Sequence, residues 1–210
     1  MVKMLKKQVT VDGKTKDAYY AVKGTKSVLY KYQSWTQPAM TSDRTKVDGV
    51  WYSTYASHVH SDSYRPWKAF DGLNTANNGW WTANIDVTAS NPAWICLECD
   101  HKLKLTSVVL KADTSGPENP KQGTVQVSNN GINWKDVGSF SFANNGTGIS
   151  VTCAITVSEG YHFYRIHCTD EWADGIVFGE IIFSGQIAKQ VTSGSYDFSE
   201  TKTIYKTRGT

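Results

Sequence analysis

Short runs of alternating apolar and polar residues, each followed by Gly, Asn, Asp or Pro, recur over most of this 210-residue chain. A helical period of 3.6 residues is almost absent, whereas the period of two that marks a half-buried strand is common. The pattern therefore predicts an all-β protein. Eight runs lie between residues 50 and 184, the number of strands in a two-sheet jelly-roll sandwich; they span residues 50–55, 93–98, 104–112, 123–128, 137–142, 150–157, 161–168 and 177–184.

Both ends of the chain differ from this central part. Three shorter runs near the N-terminus, at residues 8–11, 18–22 and 28–32, predict a small β arm. A polar stretch from Thr36 to Gly49 with Pro38 inside it is the expected boundary. The C-terminal end is an extended polar tail with one candidate strand, Lys202 to Lys206. We therefore predict three parts: an N-terminal anchoring arm (1–48), a jelly roll (49–186) and a C-terminal tail (187–210).

Charge separates the arm from the rest of the chain. Residues 1–48 contain ten Lys or Arg and four Asp or Glu, whereas residues 49–210 contain twelve and fifteen. The net charge of +3 is too small to indicate a nucleic-acid partner. The basic arm is instead a candidate for docking onto another protein.

Targeting segments are not recognisable in the sequence. The basic start, Met1 to Lys7, is followed by polar residues and not by the apolar core of a signal peptide. The chain also lacks a run of 18 apolar residues, so we expect no transmembrane segment.

The four cysteines, Cys96, Cys99, Cys153 and Cys168, lie inside apolar, strand-like runs. Buried free thiols are the prediction for such positions. The alternative is a redox or zinc site at Cys96 and Cys99. Residues three apart on a strand face opposite sides, which argues against shared coordination.

The segment from Ala69 to Thr82 is a structured loop by composition. It contains Asp71-Gly72, Asn77-Asn78-Gly79 and the adjacent pair Trp80-Trp81. Gly and Asn supply the positive φ values of tight turns. Its carboxylate, amide and hydroxyl oxygens suit a hard cation, and the same loop could instead lock one corner of a sandwich.

Seven motifs, read in order, resemble the discoidin or coagulation factor 5/8 type C domain, a fold shared with sugar-binding modules of the galactose-binding-like superfamily. The motifs are Ala69-Phe70-Asp71-Gly72, Trp80-Trp81-Thr82, Pro92 to Leu97, Thr106 to Leu110, Thr124 to Trp134, Tyr161 to Ile166 and Phe178 to Gly185. The resemblance covers about residues 50–186. It implies a jelly-roll sandwich whose loops at one end form the binding surface.

The resemblance also implies a structural calcium ion beside those loops. The matching oxygen donors are Asp71, Asn74, Thr82 and Glu180. In the alternative, Asp71 only caps its turn and Glu180 pairs with Arg165. Many extracellular members close the domain with a disulfide, but no Cys lies near residue 50 or 185. Members that insert into membranes have apolar loops, whereas residues 58–65 are polar, so membrane insertion is not expected.

A sugar ligand would meet three loops, at residues 58–67, 113–122 and 170–175. Trp172, the one large ring of a polar loop, is the candidate stacking platform, with folding back onto the sandwich as the alternative. His58, His60, Arg65 and Asn119 are the candidate hydroxyl-binding residues. His58 and His60 could instead form a metal pair, since alternate strand residues share a face.

Catalytic motifs are not recognisable, so we expect no enzymatic activity. By analogy with the resembled family, we expect a non-catalytic carbohydrate-binding virion protein, a phage tail or capsid appendage made in the host cytoplasm. Its arm and tail would join other virion proteins in a larger assembly, and its jelly roll would contact host surface glycans. The alternatives are a structural decoration protein without a sugar site, and an accessory carbohydrate-binding module of a bacterial glycan-degrading system.

Overall fold

The computed structural model describes residues 3–11, 14–23 and 26–190, with side chains from residue 30 onward. The prediction of an all-β fold is confirmed. Two short 3-10 helices, Asp62–Tyr64 and Pro66–Phe70, interrupt the strands. The strands are β1 (Lys3–Val11), β2 (Lys14–Lys23), β3 (Lys26–Thr36), β4 (Arg44–Val47), β5 (Val50–Ala56), β6 (Trp80–Trp81), β7 (Ala93–Ala112), β8 (Pro120–Ser128), β9 (Lys135–Ser141), β10 (Ser150–Ala154), β11 (Tyr161–Glu171) and β12 (Val177–Gln190).

The chain divides into two compact units. One contains residues 1–33 and 188–210, and the other contains residues 34–187. In the first, β1 pairs with β2 in antiparallel register from Lys3↔Val22 to Val11↔Lys14, and β2 pairs with the start of β3. These strands lie where the sequence predicts the β arm and are longer than predicted. The candidate strand Lys202 to Lys206 and most of the predicted tail lie outside the described residues.

The second unit is a jelly-roll sandwich whose two sheets share one long strand, β7. Its first half, residues 93–99, lies between β5 and β11. Its second half, residues 103–112, lies between β12 and β10. The sequence predicts two strands here because the polar run Asp100-His101-Lys102 interrupts the apolar alternation. The backbone nevertheless stays extended through that run, and the strand passes from one sheet to the other.

The two sheets follow from these pairings. In the first, the strand order is β4-β5-β7-β11-β8-β9. In the second, the order is β6-β12-β7-β10. All pairings are antiparallel, which suits strands that bury one face and expose the other. The loops at residues 58–67, 113–122 and 170–175 connect or end these strands.

Aromatic rings fill the space between the sheets. Trp80 and Phe178 are stacked with ring centroids 6.2 Å apart, and Phe140 meets Phe178 edge-on at 6.5 Å. The buried hydroxyl of Tyr164 donates to the carbonyl of Leu103 at 2.8 Å and accepts from the N–H of Leu105 at 3.4 Å. Each hydrogen bond ties β11 to the part of β7 where that strand changes sheets.

Residues 34–48 belong to the same compact unit as the sandwich. Met40 is 1% exposed and lies in the core, and β4 pairs with β5 from Arg44↔Ser53 to Val47↔Val50. The boundary predicted at residue 48 therefore falls inside this unit. Composition predicts the boundary there because the stretch is polar, although Met40 within it is buried.

All four cysteines are free and buried, as predicted from their apolar runs. Burial raises the pKa of the Cys99 thiol to about 12 and the pKa of Cys96 and Cys168 further still. Within the described residues, no helix is long and apolar enough to cross a membrane.

Candidate functional site

The three loops that the sequence singles out meet around the segment from Asn77 to Ala83. The Tyr64 hydroxyl donates to the Asn77 side-chain oxygen at 3.4 Å, and the Asn77 N–H donates to the Ser115 hydroxyl at 3.4 Å. On the other side, the N–H of Ile176 donates to the Thr82 hydroxyl at 2.9 Å. One segment thus contacts all three loops, and we call this surface the loop end.

A cluster of three rings lies at the loop end. The His60 ring is stacked on the Trp81 ring with centroids 4.0 Å apart and an interplanar angle of 18°. Tyr64 meets both rings edge-on, at 5.6 Å from His60 and 5.2 Å from Trp81. His60 is exposed, while Trp81 and Tyr64 are half-buried. The cluster therefore offers an aromatic surface that is held by its own packing.

The polar groups next to this cluster differ in their hydrogen bonding. The Trp81 Nε1 atom is buried and has no hydrogen-bond partner among the described residues. Such a donor is unusual in a folded protein and is normally satisfied by water or a ligand. His58 is half-buried, its Nδ1 lies 3.0 Å from the Ser57 hydroxyl, and its carbonyl accepts from Trp80 Nε1 at 2.7 Å. His58 thus fixes the loop and leaves Nε2 of its ring for other contacts.

Trp172 is presented by a closed loop. Its side chain is 40% exposed, and Lys121 Nζ lies 5.3 Å from its ring centroid. Lys121 also forms an ion pair with Asp170 at 3.0 Å. The Glu171 carboxylate accepts from the N–H of Gly175 at 2.9 Å, and burial raises the pKa of Glu171. These contacts hold the ring at the surface, not folded onto the core.

Arg65 and Asn119 have protein partners of their own. Arg65 Nε lies 3.2 Å from Asp43, and Nη1 lies 3.7 Å from Asp62, with the side chain 46% exposed. Asn119 is fully buried, and its Nδ2 donates to the carbonyl of Gly146 at 2.8 Å. Its backbone carbonyl accepts from the N–H of Trp172 at 3.1 Å. Arg65 is thus at the surface, whereas Asn119 lies beneath it and supports the Trp172 loop.

The structure brings the predicted calcium residues Asp71, Asn74 and Glu180 close together. The N–H of Gly72 donates to Glu180 Oε2 at 3.0 Å, which joins the loop to β12. Glu180 is 2% exposed, and its pKa rises to about 8 because of burial and, next, the charge of Asp71. The alternative pairing of Glu180 with Arg165 is wrong, because Arg165 instead hydrogen-bonds Gln126 at 2.6 Å.

Two asparagines complete this group, and a threonine lies apart from it. Asn74 Oδ1 is buried without a partner among the described residues. Asn78 Nδ2 donates to Asp71 Oδ2 and to the carbonyl of Leu73, both at 3.0 Å, so these two oxygens lie on the same side of the loop. Oxygen donors in this arrangement suit calcium. The Thr82 hydroxyl is instead engaged with Ala83 and Ile176.

Only two carboxylates contribute to this candidate metal centre. In the part of the chain that the structure describes, no group of three or more His, Cys, Asp or Glu is placed to hold a metal ion. A cation here would therefore depend on amide and carbonyl oxygens as well.

Four residues of these two sites were not singled out from the sequence: Tyr64, Trp81, Lys121 and Asn78. The sequence could have predicted that Trp81 faces away from the core, since Trp80 next to it is a core residue and adjacent strand residues face opposite sides. The contacts of Tyr64, Lys121 and Asn78 are made across loops. Sequence spacing does not show such contacts.

Residues 68–161 match the family model described as F5_F8_type_C_2, NedA-like, galactose-binding domain. The match covers the loop with Asp71, the strand with Trp80 and Trp81, and all of β7 to β10. Together with the observed fold, it supports a galactose-binding-like, F5/8 type C domain in this chain. None of the curated proteins matches the chain in sequence.

Solved carbohydrate-binding modules have the same fold. A Clostridium perfringens module, CpGH89CBM32-5 in complex with GalNAc-β-1,3-galactose, is 14% identical with a TM-score of 0.56, covering 64% of this chain and 95% of its own. The family 32 module of C. perfringens NanJ, in complex with galactose, is 15% identical with a TM-score of 0.51, covering 66% and 93%. Chitosan-binding module 2 of a Paenibacillus sp. IK-5 chitosanase/glucanase, in complex with chitotriose, is 22% identical with a TM-score of 0.50, covering 63% and 95%.

Proposed function

We propose that this protein is a non-catalytic carbohydrate-binding protein whose loop end contacts glycans. The observation that carries the proposal is the ring cluster formed by the exposed His60 with the half-buried Trp81 and Tyr64, together with the exposed Trp172 on a neighbouring loop. The fold is shared with modules solved in complex with galactose and chitotriose, which makes a sugar the first ligand class to test.

Sugars suit this surface because each ring offers an apolar face and hydroxyl groups at its rim. Aromatic side chains cover the apolar face, and side chains with hydrogen-bonding groups satisfy the hydroxyls. His60, Tyr64 and Trp172 supply aromatic surface in this proposal. The half-buried His58 and the exposed Arg65 supply hydrogen-bonding groups.

Asn119 has a supporting role in this proposal and does not touch the ligand. Its side chain is fully buried, so it cannot reach a sugar hydroxyl while the loop keeps its observed position. Its carbonyl holds the N–H of Trp172 and thereby sets the position of the platform ring.

A glycan array with the full 210-residue chain tests the proposal. We expect the wild type to bind a defined set of glycans, and Tyr64→Ala and Trp172→Ala to weaken that binding by about tenfold or more, because each loses about 1–2 kcal/mol of ring contact. Ile132→Ala is the matched control, since Ile132 is 78% exposed and lies on the turn between β8 and β9.

Two outcomes would contradict the loop-end proposal. An array on which the folded wild type binds nothing would refute carbohydrate binding. If Tyr64→Ala and Trp172→Ala bind glycans as strongly as the control Ile132→Ala, the glycan site lies away from the loop end.

We further propose that Asp71, Asn74 and Glu180, with Asn78, hold a structural calcium ion. The support is the unpartnered buried Asn74 oxygen and the two neighbouring carboxylates, one of which is almost fully buried. A bound divalent cation would neutralise the two carboxylates and tie the loop to β12. An amide side chain can present either its nitrogen or its oxygen, so Asn78 can turn its oxygen to the ion.

Calcium binding is measurable as thermal stability. A ligand that binds only the folded state stabilises it by RT ln(1 + [L]/Kd), about 2.7 kcal/mol at a hundredfold excess over Kd. We expect calcium to raise the melting temperature of the wild type and EDTA to reverse the shift. Asp71→Asn should abolish the calcium response, whereas the exposed Asp86→Asn should keep it. A wild type whose melting temperature is indifferent to calcium would refute the ion.

The biological setting is a separate proposal. A phage tail or capsid appendage, joined to other virion proteins through residues 1–48 and 187–210, is compatible with a glycan-binding jelly roll. An accessory module of a bacterial glycan-degrading system is equally compatible. Mass spectrometry of purified phage particles from the source of this sequence separates the two, because absence of the chain from the particles would refute the virion role.

A further inference from the structure

A shallow depression of about 430 Å³ lies on the outer face of the first sheet, on β8, β9 and β11. Its polar lining side chains are Gln122, Thr124, Ser139, Ser141 and Thr169. Thr124 pairs with Ser139, and Gln122 pairs with Ser141, so these side chains share one face of the sheet. The volume falls in the range of small-molecule sites.

The lining is neutral and has unused hydrogen-bonding capacity. Among the residues that the structure describes, the side chains of Gln122, Ser139, Ser141 and Thr169 make no hydrogen bond to protein. The polar lining side chains are hydroxyls and one amide, which both donate and accept, and the Thr124 hydroxyl donates to the Asp136 carboxylate beside the depression at 3.3 Å. A ligand that matches it carries many hydroxyl groups and no charge.

A β-bulge contributes to the shape of the depression. The pairing of β11 with β8 shifts between Cys168 and Asp170, so Thr169 is the extra residue of the bulge. A bulge of this kind re-aims a side chain out of the regular pleat, and such bulges are common at binding sites. Here Thr169 is aimed at the depression and not at the core.

Two half-buried tryptophans lie near the depression, Trp94 on β7 and Trp134 directly before β9. Arg165 lies over the Trp134 ring at 4.0 Å and over the Trp94 ring at 5.8 Å. Arg165 pairs with Gln126, two residues along β8 from Thr124, which places this stack about 7 Å from the lining. The stack is fixed, because Arg165 donates to Gln126 and Gln126 donates to Asp136 at 2.7 Å.

We propose that this sheet face is a second carbohydrate-binding surface, which takes a neutral oligosaccharide of at least two units. One unit occupies the depression, and the next contacts the edge of the Trp134 and Trp94 stack. The surface uses β8, β9 and β11 and none of the residues of the His60, Trp81 and Tyr64 cluster. It extends the proposed glycan function and can be present whether or not the loop end binds sugar.

NMR titration of the uniformly ¹⁵N-labelled full chain tests this inference. The probes are cellotetraose, triacetylchitotriose and a β-1,4-galactan tetrasaccharide, with a hyaluronan tetrasaccharide as the acidic comparison. We expect saturable amide shifts at residues 123–124 and 139–141 with at least one neutral probe, and weaker ones with the acidic probe.

Ser139→Tyr fills the depression with a residue that favours strands, so the fold is retained. We expect it to weaken the sheet-face shifts by about tenfold or more. Thr152→Tyr is the matched control, because Thr152 is exposed on β10 and does not line the depression. The control should titrate like the wild type.

The location of the shifts keeps the two proposals apart. Saturable shifts confined to residues 58–67 and 170–175 support the loop end and overturn the sheet-face site. Shifts confined to the sheet face support the second surface and contradict glycan binding at the loop end. A protein that responds nowhere to these probes, or a sheet-face response that Ser139→Tyr leaves unchanged, overturns the second surface.

Discussion

Trp80 and Trp81 are neighbours in the chain with opposite environments. Trp80 is fully buried and stacks on Phe178 in the core, and its Nε1 donates to the carbonyl of His58. Trp81 is half-buried, faces the loop end and stacks on His60. The difference follows from the two-residue strand they form, because adjacent strand residues point to opposite faces.

Replacing each tryptophan should therefore have a different effect. We expect Trp80→Ala to lower the free energy of unfolding by about 3–5 kcal/mol, since it removes a fully buried ring and leaves a cavity. Trp81→Phe keeps a ring and breaks no protein hydrogen bond of Trp81 Nε1, so it should change stability by less than about 1.5 kcal/mol. Chemical denaturation measures both. Similar losses in the two variants would contradict the assigned environments.

Tyr164 is a second residue whose single polar group has a defined structural role. Its hydroxyl joins β11 to the carbonyl of Leu103 and the N–H of Leu105 inside the core. We expect Tyr164→Phe to cost about 1–3 kcal/mol, because a buried carbonyl and N–H lose their partner. Urea unfolding is the measurement, and a variant as stable as the wild type would contradict it. Tyr161→Phe, at a half-buried position on the same strand, is the control.

The loop between the second 3-10 helix and β6 is held tightly against β12. Gly79 has a φ of 136°, and a Cβ at this position would lie 2.2 Å from the carbonyl oxygen of Phe178. Gly72 has a φ of 83°, but a Cβ there would meet only Ala39 at 3.7 Å. The two glycines thus share a positive φ, which would strain any residue with a Cβ, but they differ in the space around them.

Alanine at each glycine separates conformational strain from steric clash. Gly72→Ala should cost about 1–2 kcal/mol, the penalty for placing Cβ in the left-handed region. Gly79→Ala should cost at least about 3 kcal/mol, since the neighbouring backbone must also move. Thermal unfolding of both variants in the same buffer tests the order. Equal losses of stability in the two variants would mean that the backbone of β12 moves readily at Phe178.

Cysteine accessibility reports on the integrity of the whole sandwich. All four thiols are buried and free, and burial raises their pKa values. Only the thiolate reacts, so we expect native protein to resist the thiol reagent DTNB and denatured protein to release four equivalents of colour. Reductant should leave the melting temperature unchanged. Rapid native labelling would indicate that the strands carrying these residues open often.

Much of the architecture could be predicted from local pattern. The alternation in runs such as Thr124 to Ser128 sets which side chains face the core, and the turn residues between runs mark where strands end. The burial of Cys96, Cys99, Cys153 and Cys168 follows from the same reasoning. The resembled family also implies that the three loops lie at one end of the sandwich, and hydrogen bonds join two of them to the segment from Asn77 to Ala83. These are properties of neighbouring residues or of an ordered set of motifs.

Contacts between distant segments were beyond reach of the sequence. The stacking of His60 on Trp81 and the burial of Asn119 beneath the Trp172 loop depend on contacts between separate loops. The same is true of the depression on β8, β9 and β11, whose side chains meet through strand register and one bulge. Local periodicity specifies a strand and its faces. Register, bulges and loop packing depend on the free energy of the complete fold, and they arrange the candidate sites.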